Sequence, residues 1–324
     1  MKRNIMRAFA ALSLGIACAA PALADYPDRP IKIVVGYAAG GTTDLLARAL
    51  GEQLANELNA SVVIENKAGA AGSIAAASVQ TARPDGYTLF IATVSSHGMN
   101  PALYDKINYD PVGGFAPVSM LASIPLVLIS DPKLGYAKLD DLTNAVRQAP
   151  GSLNFSSSGN GSPVHIAGAL FMDYGNLKVE HIPYRGGSLA NMAVMSGDAQ
   201  FTFATLPAAM PLVRSEKVTA LAVTTRDRSP ELPNLPTMAE HALFKDYEIN
   251  TWNALLAPAG TPADVIEKLN AAVVKVMNSP KLVETFRREG AIPQSSTPQE
   301  LASFIDKELA HWNGVVKRLN LSLQ

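Results

Sequence analysis

Short apolar segments alternate with amphipathic segments along the first hundred residues. Ile31–Val35, Ser61–Glu65 and Tyr87–Val94 are apolar runs of strand length, whereas Asp44–Glu57 and Ile74–Thr81 repeat apolar residues at helical spacing. This β-α-β-α-β order predicts a parallel sheet with helices on its faces. Ligands of such sheets bind beyond the carboxyl ends of the strands, so the loops that follow the strands are the candidates for a binding site.

A second series of alternating segments follows. Its predicted strands are Ala116–Ile129 (interrupted by Pro125), Leu153–Ser156, Val179–Tyr184, Gln200–Thr205, Val218–Thr224 and Ile249–Ala257. Its predicted helices are Asp140–Gln148, Pro163–Tyr174 and Ser188–Ser196, and two amphipathic helices, roughly Ala263–Asn278 and Pro298–Leu319, end the chain. The pattern therefore predicts an α/β protein with two sets of strands and helices.

We expect these two sets to form two α/β lobes, the second inserted in the first. Residues 25–122 and 250–324 would form the first lobe and residues 123–249 the second. The chain would then cross between the lobes near Ser119–Pro125 and near Tyr247–Asn253, and two crossings form a hinge beside a cleft. Two consecutive domains that divide near residue 150 are the alternative, because topology follows only weakly from sequence.

The N-terminal segment has the three parts of a secretory signal peptide. Its basic residues, apolar core and A-x-A cleavage motif are Lys2, Arg3 and Arg7, then Phe9–Ala20, then Ala22-Leu23-Ala24. We expect cleavage after Ala24 and a periplasmic protein. A retained membrane anchor is one alternative. A lipoprotein modified at Cys18 is another, although Gly15 stands where lipoprotein signals usually have Leu.

Cleavage would change both the cysteine content and the charge of the chain. Cys18 is its single cysteine, so the mature protein would have no disulfide, thiol nucleophile or cysteine-based metal site. Loss of the three basic residues leaves 24 Lys and Arg against 28 Asp and Glu, a formal charge of −4. A mildly acidic protein has no general attraction for nucleic acid or anionic lipid. An anionic ligand would therefore be bound by local geometry.

The segment after the first predicted strand has the strongest signal for a ligand. Its small residues let backbone N–H groups approach an anion, and the N-terminus of the following helix adds about half a positive charge. We expect Thr42 or Thr43 to cap that helix. Asp44 would pair with Arg48 one turn later or orient the loop amides. The candidate contacts are Tyr37, Ala39, Gly40, Gly41, Thr42, Thr43 and Asp44. An ordinary βα turn without a ligand is the alternative.

Two loops of the second series also follow predicted strands. Pro163 suits a first helical position, which makes Ser162 the N-cap, and the hydroxyls and amides ahead of it form a potential anion nest. Arg185 is a candidate for a bidentate contact to a carboxylate, with a surface arginine as the alternative. The candidate contacts of these loops are Ser158, Gly159, Asn160, Gly161, Ser162, Tyr184, Arg185 and Gly186. Ser95, Ser96 and Thr205 add hydroxyls at other strand ends.

Familiar enzyme signatures are absent from the sequence. It has no G-x-S-x-G elbow, no H-E-x-x-H motif, and no Gly-Lys-Ser/Thr ending in the loop Asn66–Gly72. Its five histidines are scattered without metal-ligand spacing. A hydrolase or lyase that uses Ser158 and His165 is the alternative, but nothing in the sequence supplies the third group of a triad. We therefore expect a binding protein without catalysis, metal or cofactor.

Ordered motifs run through nearly the whole mature chain. They are Tyr26-Pro27 with Arg29-Pro30-Ile31, Gly40-Gly41-Thr42-Thr43-Asp44, Val63-Ile64-Glu65-Asn66-Lys67, Pro84-Asp85-Gly86-Tyr87-Thr88-Leu89, Asn100-Pro101-Ala102-Leu103-Tyr104, Phe115-Ala116-Pro117-Val118, Gly159-Asn160-Gly161-Ser162, Pro183-Tyr184-Arg185-Gly186, Leu221-Ala222-Val223, Leu235-Pro236-Thr237, Trp252 and Ala257-Pro258-Ala259-Gly260-Thr261-Pro262. In this order they resemble the Bug-type solute-binding proteins, the extracytoplasmic receptors of tripartite tricarboxylate transporters. The resemblance implies a periplasmic binding protein fold, similar to type II, with two α/β lobes, two hinge crossings and a central ligand cleft.

The resemblance also implies a function. It implies a receptor that captures a small carboxylate or dicarboxylate and delivers it to membrane permease subunits. The ligand would be held by Ala39–Asp44 on one side and by Ser158–Ser162 and Tyr184–Gly186 on the other, and we expect a monomer. A periplasmic sensor that feeds a signalling partner is the alternative.

Two departures from the family pattern bear on the ligand. Tyr37-Ala38-Ala39 stands where relatives commonly have prolines and a Phe, so the shape of the cleft would differ. Many relatives also have an Asp near Thr205, and its absence here removes a partner for a ligand ammonium group. This favours a carboxylate without an amino group.

Overall fold

The computed structural model describes residues 26–322, so the predicted signal peptide lies outside the described residues. The strands are β1 Ile31–Val35, β2 Val62–Asn66, β3 Thr88–Thr93, β4 Phe115–Ser130, β5 Asn154–Ser157, β6 Glu180–Pro183, β7 Phe201–Thr205, β8 Thr219–Val223, β9 Asn250–Pro258 and β10 Ile292–Pro293. The helices are α1 Thr42–Leu58, α2 Ser73–Gln80, α3 Asn100–Leu103, α4 Leu139–Gln148, α5 Pro163–Gly175, α6 Gly187–Ser196, α7 Leu206–Arg214, α8 Ala263–Met277, α9 Pro280–Arg288 and α10 Pro298–Arg318. Between residues 26 and 322, no helix is both long and apolar enough to cross a bilayer.

The first sheet has the strand order β2-β1-β3-β9-β4, with β10 paired to β4. Strands β1, β2 and β3 are parallel, as the β-α-β-α-β pattern predicts, whereas β9 is antiparallel to both β3 and β4. Ile33 and Val35 of β1 are fully buried, and they belong to the same apolar core as Leu50 and Leu54 of α1. The register of β1 and the face of α1 thus fix where the loop between them lies.

The second sheet has the order β4-β7-β5-β6, with β8 also paired to β4. Strands β5, β6 and β7 are parallel, and β4 runs antiparallel to β7. Its core contains the stacked and edge-on rings of Phe155, Phe171, Phe201 and Phe203. The chain then returns through β9, which pairs with β3 of the first sheet.

Strand β4 joins the two sheets and corrects one prediction. The sequence predicts an interruption at Pro125, but β4 is continuous from Phe115 to Ser130. Up to Pro125 it pairs with β9, and from Leu126 it pairs with β7. Pro125 therefore stands where one ladder ends and the next begins, a place that tolerates a missing N–H.

The strand registers show that the carboxyl edges of the two sheets face each other. Thr93 at the end of β3 is level with Asn253, which pairs with Ala122 of β4. Four residues later, Leu126 of β4 pairs with Thr205 at the end of β7. At about 3.3 Å per residue, roughly 13 Å of strand separates these edges. A small molecule in that gap would be within reach of loops from both sheets.

Several helical segments are not predicted by the sequence pattern. Helix α7 contains Pro207 and Pro211, so its proline content hid it. Helix α9 buries only Leu282 and Phe286, spaced one turn apart, and is otherwise polar. A turn of π-helix, Ser95–Met99, follows β3 where only a loop is expected. The helices predicted around residues 44–57, 263–278 and 298–319 are present within one or two residues of those bounds.

Candidate functional site

The loop before α1, which we call the α1 loop (Tyr37–Gly41), is organised by one buried carboxylate. Asp44 is 1% exposed, and its Oδ2 accepts hydrogen bonds from the Gly40 backbone N–H at 2.8 Å and from Arg48 Nε at 3.0 Å. Its Oδ1 accepts a hydrogen bond from Asn66 Nδ2 at 2.8 Å. Asp44 therefore both pairs with Arg48 and orients a loop amide, the two roles expected from the sequence. All of these bonds face the protein, so we assign Asp44 a positioning role.

The electrostatics of Asp44 follow from these partners. Burial raises the pKa of this carboxyl, but hydrogen bonds from Arg48, Gly40 and Asn66 outweigh burial and leave the pKa below its ordinary value. Asp44 is thus a carboxylate at neutral pH. Its charge is compensated by Arg48.

The expected cap from Thr42 or Thr43 is wrong. The helix begins at Thr42 itself, and its N-cap is Gly41, which has extended backbone and no side chain to offer. Asp44, at the third helical position, instead reaches back to the N–H of Gly40. The first backbone N–H groups of α1 lack intrahelical acceptors and carry the positive end of the helix dipole. Ala39, Gly40 and Gly41 are exposed beside them, so the loop leaves room for an anion.

Tyr37 lies at the base of the α1 loop among groups from three strand ends. Its hydroxyl is 3.1 Å from Thr93 Oγ1 and donates to the Ala71 carbonyl at 3.4 Å. Burial raises the pKa of this phenol, although hydrogen bonds with Ser95 and Thr93 oppose the shift, so Tyr37 is neutral. A Cβ placed on Gly72 would lie 3.6 Å from the Ser96 side chain and 3.9 Å from Tyr37. The structure thus brings Tyr37, Ser95 and Ser96 together.

The Ser95 and Ser96 side chains are less available to a ligand than their position suggests. Both residues are buried, and Ser96 Oγ bonds to the backbone of Thr93 and to His97 Nδ1 at 3.0 Å. Tyr109 in turn donates to the Ser96 carbonyl at 2.6 Å. Ser96 therefore holds the π-helical turn in place.

Sequence reasoning missed the contribution of the loop after β2. Asn66 connects Asp44 to the Tyr37 carbonyl, which ties this loop to the α1 loop. Ala70 and Ala71 both have positive φ, a conformation that costs non-glycine residues of order 1–3 kcal/mol each. The Asn100 side chain donates to both of their carbonyls and so holds the strained turn. Two consecutive alanines between Gly69 and Gly72 gave no sequence signal for this strain.

In the second sheet, the loop Ser158–Ser162, which we call the α5 loop, lies at the carboxyl end of β5. Ser162 is the N-cap of α5, as predicted, and its Oγ accepts a hydrogen bond from the His165 N–H at 3.2 Å. Gly161 and Ser162 are buried, whereas Asn160 is exposed at the tip. This loop therefore presents the exposed Asn160 at its tip, while the Gly159 and Gly161 N–H groups bond inside the protein.

Two histidines that are not among the candidate contacts lie beneath the α5 loop. Their rings, His165 and His181, are stacked with centroids 4.1 Å apart, and we call them the histidine pair. Gly161 N–H donates to His165 Nδ1 at 3.1 Å, and Ser157 Oγ is 2.6 Å from His181 Nε2. Burial lowers the pKa of His165, and burial and then the charge of His165 lower the pKa of His181 to about 4. Both rings are therefore neutral at neutral pH.

The loop Tyr184–Gly186, which we call the α6 loop, lies beside the α5 loop. Tyr184 N–H donates to the Ser157 carbonyl at 2.9 Å, and a Cβ on Gly159 would lie 3.5 Å from the Tyr184 carbonyl. Arg185 is exposed, as a charged ligand contact requires. Thr205, at the end of β7, is the N-cap of α7 but makes no capping bond with its side chain, so its hydroxyl remains available at the same edge.

The structure gives the hydrolase alternative little support. His165 Nδ1 is occupied by Gly161 N–H, and within residues 26–322 no hydrogen bond joins Ser158 to His165. Near the α5 loop, the serine hydroxyl that meets a histidine ring is that of Ser157, which is fully buried. Across the same residues, no group of three or more His, Cys, Asp or Glu side chains could hold a metal ion.

Comparison with known proteins agrees with this architecture. Residues 46–321 match the family described as the tripartite tricarboxylate transporter family receptor, TctC. Protein BugT of Bordetella pertussis is 34% identical over 326 residues, which cover 99% of this chain and all of BugT.

Two solved structures are similar over nearly the full chain. Rpa4515 of R. palustris with adipate is 34% identical with a TM-score of 0.87, covering 92% of this chain and 99% of that one. MatC (Rpa3494) of Rhodopseudomonas palustris with bound malate is 30% identical with a TM-score of 0.81, covering 90% of this chain and all of that one. The structure of the periplasmic binding protein BugD is also similar, with a TM-score of 0.84 at 29% identity.

These likenesses confirm the predicted fold and family. The neighbours are solute-binding proteins, and two of them hold dicarboxylates by their descriptions. The predicted resemblance to Bug-type proteins is therefore correct, and the α/β fold is that of periplasmic solute-binding proteins. The chain belongs to the receptor family of the tripartite tricarboxylate transporters.

Proposed function

We propose that this protein is a periplasmic receptor that captures a small carboxylate or dicarboxylate between the facing edges of its two sheets. The observation that carries the proposal is the α1 loop. Asp44 turns inward to hold the amide of Gly40, while Ala39 to Gly41 and the N-terminus of α1 are left open. Such a site binds an anion through backbone N–H groups and the helix dipole.

The second sheet supplies the opposite side of the proposed site. Arg185 is exposed in the α6 loop, and Asn160 and Ser158 lie in the neighbouring α5 loop. An Arg guanidinium binds a carboxylate through two parallel hydrogen bonds. A ligand with a carboxylate at each end would thus engage one loop of each sheet. Adipate and malate, which two neighbours hold, are ligands of this kind.

The site disfavours an amino acid. An ammonium group is best matched by a carboxylate, and Asp44 is the one acidic residue among the candidate contacts. It is buried and already paired with Arg48 and Asn66. We therefore infer a carboxylate without an amino group.

Delivery to the membrane completes the proposal. We infer that residues 25–122 with 250–324 and residues 123–249 act as two lobes that close around the ligand, with hinges at Pro125 and near Asn250. Closure is driven by contacts made only in the closed state. The loaded monomer, cleaved after Ala24, would then pass its ligand to the membrane subunits of a tripartite tricarboxylate-type transporter without chemical change.

A calorimetric titration of the mature chain tests the ligand class. We expect adipate or malate to bind with a Kd in the micromolar range or below, and glutamate and acetate to bind at least a hundredfold more weakly. Recovery of unchanged ligand after release would agree with binding alone. Tight binding of glutamate with no response to either dicarboxylate would refute the proposal.

A further inference from the structure

The histidine pair touches the α5 loop at two points. Gly161 N–H donates to His165 Nδ1 on one side of Asn160. On the other side, Ser157 Oγ lies 3.2 Å from both the N–H and the carbonyl of Gly159, and the same hydroxyl meets His181 Nε2. The two glycines that flank the exposed Asn160 are therefore both held by imidazole rings, one directly and one through a serine.

The histidine pair is held in place by a phenylalanine on its buried side. Phe155, which is fully buried, stacks on His181 with ring centroids 4.8 Å apart. Phe155 reaches this place because Gly168 of α5 has no side chain, since a Cβ there would lie 2.1 Å from the phenyl ring. A stack of three rings, Phe155, His181 and His165, thus runs from the core of the second sheet to the α5 loop.

The bond from Gly161 requires a neutral His165. Its Nδ1 acts as an acceptor, so the ring proton is on Nε2. A protonated imidazole has donors at both nitrogens and no acceptor, and its Nδ1–H would oppose the N–H of Gly161. A second positive charge on stacked His181 would add repulsion at 4.1 Å. The position of His165 in the first turn of α5 also disfavours a cation.

Other charged groups near the pair are few. Helix α6 and strands β5 and β7 carry no titratable side chain, and neither does the α5 loop. Strand β6 and the α6 loop add Glu180, which is exposed, with Tyr184 and Arg185. In α5 the remaining ionisable groups are in its last turn, where Asp173 pairs with Arg318 at 3.3 Å. The charge that lowers the pKa of His181 comes from His165.

We propose that the neutral histidine pair positions the α5 loop for its ligand, so that protonation of the pair and ligand binding oppose each other. The inference rests on the proposed function, because it assigns the α5 loop to the ligand. His165 and His181 act through the glycines around Asn160, and they are positioning residues in this sense. Because both rings are neutral at neutral pH, the pair fixes the geometry of the α5 loop without adding a charge beside the ligand.

Two substitutions at one position test the acceptor at His165. His165→Phe keeps a ring to stack on His181 but removes the acceptor, whereas His165→Asn keeps an acceptor oxygen in place of Nδ1 and cannot be protonated. In adipate titrations at pH 7.5, we expect His165→Phe to weaken binding about tenfold and His165→Asn to stay within threefold of wild type. Equal affinities for wild type and His165→Phe, with both proteins folded, would refute the proposal.

The pH profile provides a readout that a purely structural role would not move. Between pH 7.5 and 5.5 the second carboxyl of adipate begins to be protonated, and this affects wild type and variants equally, so the difference between their profiles isolates the histidine pair. We expect the wild-type affinity for adipate to fall over this range by more than protonation of the ligand alone produces. The His165→Asn/His181→Gln variant should change much less. Parallel profiles for the two proteins would overturn the inference.

Hydrogen exchange without ligand separates this inference from the proposed function. In the ligand-free protein at pH 7.5, the Gly161 amide should be protected in wild type and His165→Asn and exchange several-fold faster in His165→Phe. If this amide exchanges alike in all three proteins, the positioning role is refuted, whatever binds. If the protection differs as expected but wild type binds neither adipate nor malate, the proposed ligand class is refuted instead.

Discussion

The α1 loop and the α5 loop occupy equivalent places at the carboxyl ends of parallel strands in the two sheets, but different chemistry holds them. In the α1 loop a buried carboxylate, Asp44, fixes the Gly40 amide and is balanced by Arg48. In the α5 loop the amide of Gly161 is fixed by a neutral imidazole on a stack of rings. Both arrangements leave backbone N–H groups or small polar side chains for a ligand. Neither places an unpaired carboxylate beside it.

In the proposed site, an anion would be bound without a fixed positive charge at its centre. The charge of Asp44 is balanced by Arg48. The α1 loop therefore offers an anion the partial positive charges of its backbone N–H groups and the dipole of α1. The α5 loop adds hydroxyl and amide groups held by uncharged rings. Arg185 in the α6 loop is the one formal positive charge among the candidate contacts. Specificity would then depend on loop geometry, which is where substitutions should act most strongly.

The largest effect is expected from a bulky residue at Gly41. Its backbone is extended with φ −83°, and the atom nearest to an added Cβ is the Ala38 carbonyl at 3.6 Å. Gly41→Leu should therefore fold normally but place its side chain over the exposed start of α1. We expect adipate affinity to fall more than a hundredfold in calorimetry, with Tm nearly unchanged. Gly314→Leu, at an exposed position of α10 with open space around it, is the matched control. Retained affinity in Gly41→Leu would remove the α1 loop from the site.

A smaller effect, on both stability and binding, is expected at Asp44. Asp44→Ala leaves Asn66 and the Gly40 amide without their acceptor, and lost hydrogen bonds to a charged group cost about 2–3 kcal/mol. We expect a drop of that order in the free energy of unfolding by urea, and at least tenfold weaker adipate binding. Asp44→Asn, which keeps an acceptor oxygen, should lose less of both. Asp264→Ala removes an exposed acid from the first turn of α8 and should change neither. An unchanged affinity in Asp44→Ala would mean that the loop is not held by this carboxylate.

The locality of these contacts explains what the sequence could and could not predict. Asp44 is four residues from both Gly40 and Arg48, so its pairing with Arg48 follows from helical spacing and its bond to Gly40 from its place in the first turn of α1. His165 and His181 are far apart in sequence and meet only because α5 packs over β6, so no spacing rule identifies them. Asn66 likewise acts across two strands of the sheet. Residues that present the loops were predictable, and residues that hold them from another element were not.

The same reasoning applies to the fold. Parallel pairing of β1, β2 and β3 follows from alternating strands and helices, because each crossover is local. The return of β9 to a position between β3 and β4 joins residues more than a hundred positions apart, and the sequence supports it only through the hinge hypothesis. The continuity of β4 through Pro125 was missed because a proline usually ends a central strand. Here the strand that pairs with β4 changes from β9 to β7 at that residue.

Acid should distinguish the two loops. A carboxyl group whose pKa is lower in the folded than in the unfolded protein stabilises the fold at neutral pH. This stabilisation is lost as the pH falls below the pKa of the unfolded protein. For Asp44 this happens only below about pH 4, whereas His165 and His181 resist protonation in the fold and favour unfolding as pH falls from about 6.5 towards 4. Between pH 7 and 5.5 we expect a loss of unfolding free energy on the order of 1 kcal/mol. Urea titrations of wild type and His181→Gln measure it, and the loss should shrink in the variant. An equal loss in both proteins would mean that other groups titrate in this range.

The smallest expected signal comes from the crossing between the two sheets. Trp252 of β9 is 2% exposed, pairs with Ser123 of β4 and donates its indole N–H to Glu308 at 2.7 Å. It also lines a cavity of about 340 Å³ beside the crossings, so a hinge motion there would change its surroundings. Trp312, the other tryptophan of the chain, lines the same cavity and donates to the same carboxylate, but it is part of α10 and packs on Gly98.

The two tryptophans therefore form a matched pair of reporters. If ligand draws the α1 and α5 loops together, the polypeptide must bend where β4 and β9 run between the sheets, and Trp252 lies in β9 itself while Trp312 lies on the neighbouring α10. We expect adipate to change the intrinsic fluorescence of wild type and of Trp312→Phe by several per cent, and to leave that of Trp252→Phe nearly constant. Calorimetry on each variant checks that binding persists. A ligand-induced signal that survives in Trp252→Phe and vanishes in Trp312→Phe would place the motion inside the first sheet, and the two loops would then have to bind without approaching each other.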